Sequence, residues 1–85
     1  MTVRITVIEE RPLRRLRVEG RLSGEELGEL EQLLGTDPSA ACLELAELRS
    51  VDAAAAGLLR RLRASGFTLR QIPPQLAWRI EGEEM

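Results

Sequence analysis

The chain has no histidine, no lysine and no tyrosine, and only one cysteine, one tryptophan and one phenylalanine. Each shortage removes a class of function. Without histidine there is no imidazole to act as a general base, to bind a transition metal or to titrate near neutral pH. Cys42, standing alone, can build neither a disulfide framework nor a thiol cluster for a metal, so no metal and no other cofactor is expected. Aromatic residues at 2% and a net charge of −2 supply neither the stacking platforms nor the positive field that nucleic acid requires. No apolar run is long enough to span a bilayer, and the opening "MTVRITVIEE" lacks the apolar core of a signal peptide. No direct membrane insertion is expected, and the default reading is a soluble, bacterial-type cytoplasmic protein. There is no P-loop and no dinucleotide-binding glycine pattern. Catalysis would have to rest on carboxylates, arginines and a lone thiol with no base identified beside it, so the chain is not expected to be an enzyme.

What remains is an ordinary globular composition. Of 85 residues, 44% are apolar and 31% charged, which fits one domain over residues 1–85 and leaves no room for a second core. All twelve basic residues are arginine. With so much alanine, leucine and glycine, this reads as a GC-rich coding bias before it reads as function.

Val3 to Ile8, "VRITVI", alternates apolar and polar residues with the period of a half-buried strand. Glu9, Glu10, Arg11 and Pro12 make a charged turn, and "LRRLRVEG" returns as a second strand ending at Gly20. The doubled Arg14-Arg15 breaks strict alternation, which allows a small bulge. Ser23 with Glu26 has the spacing of a capping box. Behind it, Leu27, Leu30, Leu33 and Leu34 share one helical face until Gly35 stops the helix. "ACLELAEL" is a third strand, with Leu43 and Leu45 buried on one face, Glu44 between them, and Ala46 small enough to be buried on the other. A second helix runs from about Ala53 to Ala64, with Ala55, Leu58, Leu59 and Leu62 as its buried stripe. "FTLRQI" is the fourth strand, Pro73-Pro74 opens a last helix to about Ile80, and the acidic end 81–85 is expected to fray. The order β-β-α-β-α-β-α predicts an α/β sandwich: a small mixed sheet of about four strands, with an antiparallel hairpin and a right-handed parallel crossover.

The sharpest feature is "SVDAAAAGLLRRLR", residues 50–63. Asp52 is placed to cap the second helix. Four alanines in a row cannot all face inward, so with Ala55 packed, Ala53, Ala54, Ala56 and Gly57 are expected to point at least partly outward. Either these small residues let the helix sit close to the sheet, or they form a flat patch for a partner. Arg60, Arg61 and Arg63 read as a solvated face or a phosphate site, with the first favoured. Cys42 reads as a small buried hydrophobe and Phe67 as core. Trp78 either completes the core under the last helix or anchors a partner from the surface.

The stretch "LELAELRSVDAAAAGLLRRLRASGFTLRQIPP" resembles the central motif of STAS domains, the fold of anti-sigma-factor antagonists and of sulfate-transporter tails. That motif is a strand "LDLS", then "IDSSG" opening a helix, a later glycine and another strand. Leu43, Leu45, Leu48, Val51 and Asp52 stand at its strand and cap positions, and Gly66, Leu69 and Pro74 match the next turn, strand and helix start. "LRVEGRLSGEELGELEQLL" is similar to the family's earlier strand and first helix, so the likeness spans about residues 3 to 80. The departures concern the switch. The family's phosphoacceptor is the serine or threonine before the motif glycine; ungapped, Ala54 takes its place, and with a two-residue insertion Ala56 does. Neither has a hydroxyl. The resemblance implies a non-catalytic regulatory module that binds a kinase-like anti-sigma factor, non-phosphorylatable at the usual site. Its docking residues would be Asp52, Ala53, Ala54, Ala56, Gly57, Arg60 and Arg61. The alternatives are an accessory subunit of a lipid-transport ATPase complex, or a self-associating scaffold forming a homo-oligomer.

Overall fold

The N-terminal hairpin forms as its alternation predicts. In a computed structural model describing residues 3–10 and 13–81, β1 (Val3–Ile8) pairs antiparallel with β2 (Arg14–Leu22), from Val3 opposite Gly20 to Ile8 opposite Arg15. The pairing is regular through Arg15, so no bulge sits there; the irregularity lies at Gly20/Arg21, where β2 changes partner. Arg11 and Pro12 of the predicted turn lie outside the described residues, as do 82–85 of the acidic tail.

The second strand runs two residues past Gly20, and this bears on the third. "ACLELAEL" is not one strand: β3 (Ala41–Glu44) ends at a turn, and the chain resumes as β4 (Leu48–Val51). The turn is closed by Leu48 N–H donating to Leu45 C=O at 3.0 Å. Both pieces lie parallel to β2, β3 along Arg14–Arg17 and β4 along Gly20–Leu22. β5 (Thr68–Arg70) pairs parallel with β3, which makes the expected parallel connection through a helix. Among the described residues the sheet therefore has five strands where the sequence predicts about four, in the order β1-β2-β3-β5 with β4 also on β2. Ala46, expected to be buried, falls in the turn and is exposed.

Among the described residues there are three α-helices, α1 (Leu27–Leu34), α2 (Ala53–Ala64) and α3 (Pro74–Glu81), with a 3₁₀ turn at Gly24–Glu26 leading into α1. The capping box is closed from the glutamate side: the Glu26 carboxylate accepts from Ser23 N–H at 3.0 Å and from Ser23 Oγ–H at 2.8 Å. At the other end Gly35 takes φ 76°, a left-handed conformation in which any other residue is strained. Arg14 donates to the Leu33 carbonyl at 2.6 Å, setting a cation at the negative end of α1.

All three helices feed one core. Leu30 and Leu34 of α1, Ala55, Ala56, Leu58 and Leu59 of α2, and Leu76 and Ile80 of α3 pack with Leu16, Val18, Leu22, Leu43 and Leu45 of the sheet. The outcome is the predicted α/β sandwich, with a mixed sheet and its helices joined in one core.

The opposite sheet face is polar. One row across the strands reads Thr6, Arg17, Glu44, Arg70, and the row beside it Ile8, Arg15, Cys42, Thr68. Cys42 and Glu44, on the central strand, are nevertheless 1% and 8% exposed. Glu44 is held by Arg15 at 2.6 Å and approached by Arg17 at 3.7 Å, and its hydrogen bond raises the Arg15 guanidinium above its ordinary pKa.

Candidate functional site

The site predicted at the start of α2 is organised by Asp52. Its backbone is extended (φ −88°, ψ −179°), as an N-cap requires, and its N–H donates to the Leu22 carbonyl at 3.2 Å at the end of β2. The carboxylate then works in two directions. Oδ1 accepts from Ala55 N–H at 2.8 Å, capping α2, and Oδ2 accepts from Gly24 N–H at 3.0 Å, reaching the 3₁₀ turn that opens α1. One side chain thus joins two helix starts that lie far apart in sequence. An open cleft of about 490 Å³ adjoins it, lined by Arg21, Ser23, Gly24, Glu25, Glu26 and Asp52.

These bonds hold the Asp52 carboxyl below its ordinary value of 3.8: the Ala55 amide acts most strongly, then the Gly24 amide, with the charge of Arg21 adding to them. A depressed folded-state pKa favours the fold wherever the unfolded chain would bind more protons. Its contribution is complete above the unfolded value and disappears as pH falls through the folded one. Glu26 behaves alike, lowered by its bonds from Ser23. The expected result for Asp52→Asn is a lower denaturation midpoint than wild type at neutral pH and a difference that closes in acid. Urea titrations across that range check it; a gap constant with pH contradicts the two-way carboxylate.

The alanine run divides differently from the sequence expectation. Ala53 and Ala54 are exposed and Gly57 is half-buried. Ala55 is fully buried as expected, but Ala56 is also core at 2% exposed. The expectation that Ala56 points outward fails because the sheet and α3 flank α2 on two sides, so its buried arc spans two consecutive positions. Of Ala54 and Ala56, Ala54 alone is at the surface. A side-chain atom added at Gly24 would sit 3.5 Å from Ala54 Cβ, so the two helix starts lie against each other there. Arg60 and Arg61, further along, are exposed.

Three residues outside the predicted set belong to this region. Gly24 supplies the second amide to Asp52. Arg79 on α3 donates to the Val51 carbonyl at 2.8 Å, next to the cap, and its own backbone carbonyl accepts from Arg60. Trp78 is 63% exposed, which settles its two sequence readings against the core, and its ring centroid lies 6.0 Å from the Arg79 guanidinium carbon. The spacing of Ser23 and Glu26 marks the first helix start in the sequence, but nothing in it says that this start meets Asp52. Phe67 and Cys42 are buried, as read from the sequence.

No family model matches the chain, and no curated protein matches it in sequence. Among the described residues, no group of three or more cysteine, aspartate or glutamate side chains is placed to hold a metal ion. Nor is any described helix long and apolar enough to cross a membrane. The α2 start presents a fixed carboxylate beside two exposed methyl groups, with Arg60 and Arg61 exposed further along the helix.

Proposed function

We propose that this chain is a non-catalytic protein-binding module, a STAS-like regulator similar to anti-sigma-factor antagonists but without their phosphorylatable hydroxyl. The docking surface is the start of α2: Asp52, Ala53, Ala54 and Gly57, continued by Arg60 and Arg61. The observation that carries this reading is the exposure of Ala53 and Ala54 on a helix start that Asp52 ties to the 3₁₀ turn. Methyl groups held on a fixed backbone let a partner approach closely, with little side-chain entropy to lose on binding. Ala56 is removed from the docking set, since a buried methyl cannot meet a partner. Binding is constitutive with respect to this position, because Ala54 has no oxygen to accept a phosphoryl group. Control then comes from the amount of protein or from the partner's own state.

The test is affinity purification from the native host with wild type and Ala54→Arg side by side. A kinase-fold anti-sigma factor recovered with wild type and lost by at least about tenfold with Ala54→Arg supports the reading, that loss being on the order of 1.4 kcal/mol. Recovery of a membrane transport ATPase points instead to an accessory subunit. A partner whose affinity ignores Ala54→Arg removes the α2 start from the interface.

A further inference from the structure

The sheet ends in two very different strands. β5, on one side, has three residues, Thr68 and Arg70 of which are exposed, the short and charged edge that natural sheets use to discourage pairing. β1, on the other side, is twice as long and has only Arg4 to guard it. It runs six residues, Val, Arg, Ile, Thr, Val, Ile, with four β-branched hydrophobes, no proline and one charge. Its ladder with β2 is six consecutive pairs with no bulge to twist the free edge away. Among the described residues, β2 is its only strand partner. Val3, Ile5 and Val7 pack against the core yet stay half-buried, so the apolar layer is left open where the sheet stops.

We propose that β1 is the contact strand of a symmetric homodimer, in which Val3 to Val7 of one copy pair antiparallel with the same segment of a second copy, centred on Ile5. A two-fold axis perpendicular to the sheet keeps the helices of both copies on one side. Residues facing each other must then share a face, which allows four central residues inside the strand, Arg4, Ile5, Thr6 and Val7. Centring on Val7 leaves both Val3 and Ile5 outside the ladder. Centring on Arg4 sets two guanidinium groups opposite each other, and centring on Thr6 leaves Val3 outside the ladder. Centring on Ile5 sets Val3 opposite the second copy's Val7, Ile5 opposite Ile5, and Arg4 opposite Thr6. The apolar face thereby continues unbroken from one core to the other, and no like charges meet. This inference is independent of the docking surface on α2.

The prediction is specific to Thr6, which is exposed on the polar face and can be changed without touching the core. Wild type sediments as a concentration-dependent dimer. Thr6→Lys brings a lysine opposite Arg4 twice per dimer and raises the dissociation constant on the order of fivefold, whereas Thr6→Glu lowers it by a similar factor. Both shifts shrink as salt is added. Circular dichroism and thermal melts of each variant confirm that it is folded, the comparison being needed because Thr6 also faces Arg17 within its own chain. Sedimentation equilibrium that finds a monomer at the highest soluble concentration overturns the proposal. So does a dimer indifferent to both charges, or one weakened equally by both.

Discussion

Ala54→Arg folds with a stability within about 0.5 kcal/mol of wild type, and Ala56→Arg, two residues away, loses on the order of 4–5 kcal/mol. The two positions carry the same methyl group and lie on the same turn of α2. They differ in what surrounds them. Ala54 is exposed at the helix start, where an arginine can extend into water at little cost. Ala56 is 2% exposed and packed in the core with Leu58, Leu59 and the sheet. There a guanidinium either enters an apolar layer without a partner or pushes α2 off the sheet, and both are expensive. A domain of this length is held by about 4–13 kcal/mol in total, so the Ala56 variant sits near or beyond the point of unfolding. Urea denaturation of the purified variants measures the difference directly. Equal midpoints for the pair would mean that α2 is rotated about its axis relative to the packing described above. The comparison also protects the partner experiment, since Ala54→Arg is informative there only if the fold survives it.

The second large effect is expected at the centre of the sheet. Leu43→Ala removes a side chain that is fully buried on β3, opposite Leu16 of β2 on one side and Leu69 of β5 on the other. With backbone pairing on both edges, β3 has little freedom to move into the space left behind. The expected loss is about 3 kcal/mol, seen as a fall in Tm of roughly 15 °C for a domain of this size. Leu62→Ala, at a half-buried position on α2, is expected to cost about 1 kcal/mol, because water already reaches part of that side chain. Calorimetry on the two variants gives the ratio. Losses of equal size would place the densest packing elsewhere than around β3.

How much of this was readable from the chain depends on whether a residue's role is fixed locally. Val3 to Val7 alternate, Ser23 and Glu26 have the capping spacing, Gly35 follows a leucine stripe, and Asp52 precedes an alanine run; each of these elements is found where its own residues put it. The third strand is different. "ACLELAEL" carries no glycine or proline to announce a break, and the turn at Leu45–Leu48 is set by pairing to two separate stretches of β2. Glu44 looks like an outward-facing residue in a one-dimensional pattern, and only the neighbouring Arg15 and Arg17 of β2 enclose it. Helical periodicity, read with one buried face, also misplaced Ala56, since α2 has neighbours on two sides. At the candidate site, the cap on Asp52 was legible and its second bond to Gly24 was not. That bond joins residues 28 apart, and its existence depends on β2 and β4 delivering both helix starts to the same end of the sheet.

A strand bound along both sides loses its freedom to slide. β2 pairs with β1 on one edge and with β3 and β4 end to end on the other, so among the described residues it is the one strand that touches three others. Moving it by a single residue would break all three ladders at once and turn the strand over. Leu16, Val18 and Leu22 would leave the core, and Arg15, Arg17 and Arg21 would be driven in. The arginines that alternate with apolar residues along β2 therefore police its alignment: they make every neighbouring alternative far worse than the native one, whether or not any of them ever meets a partner.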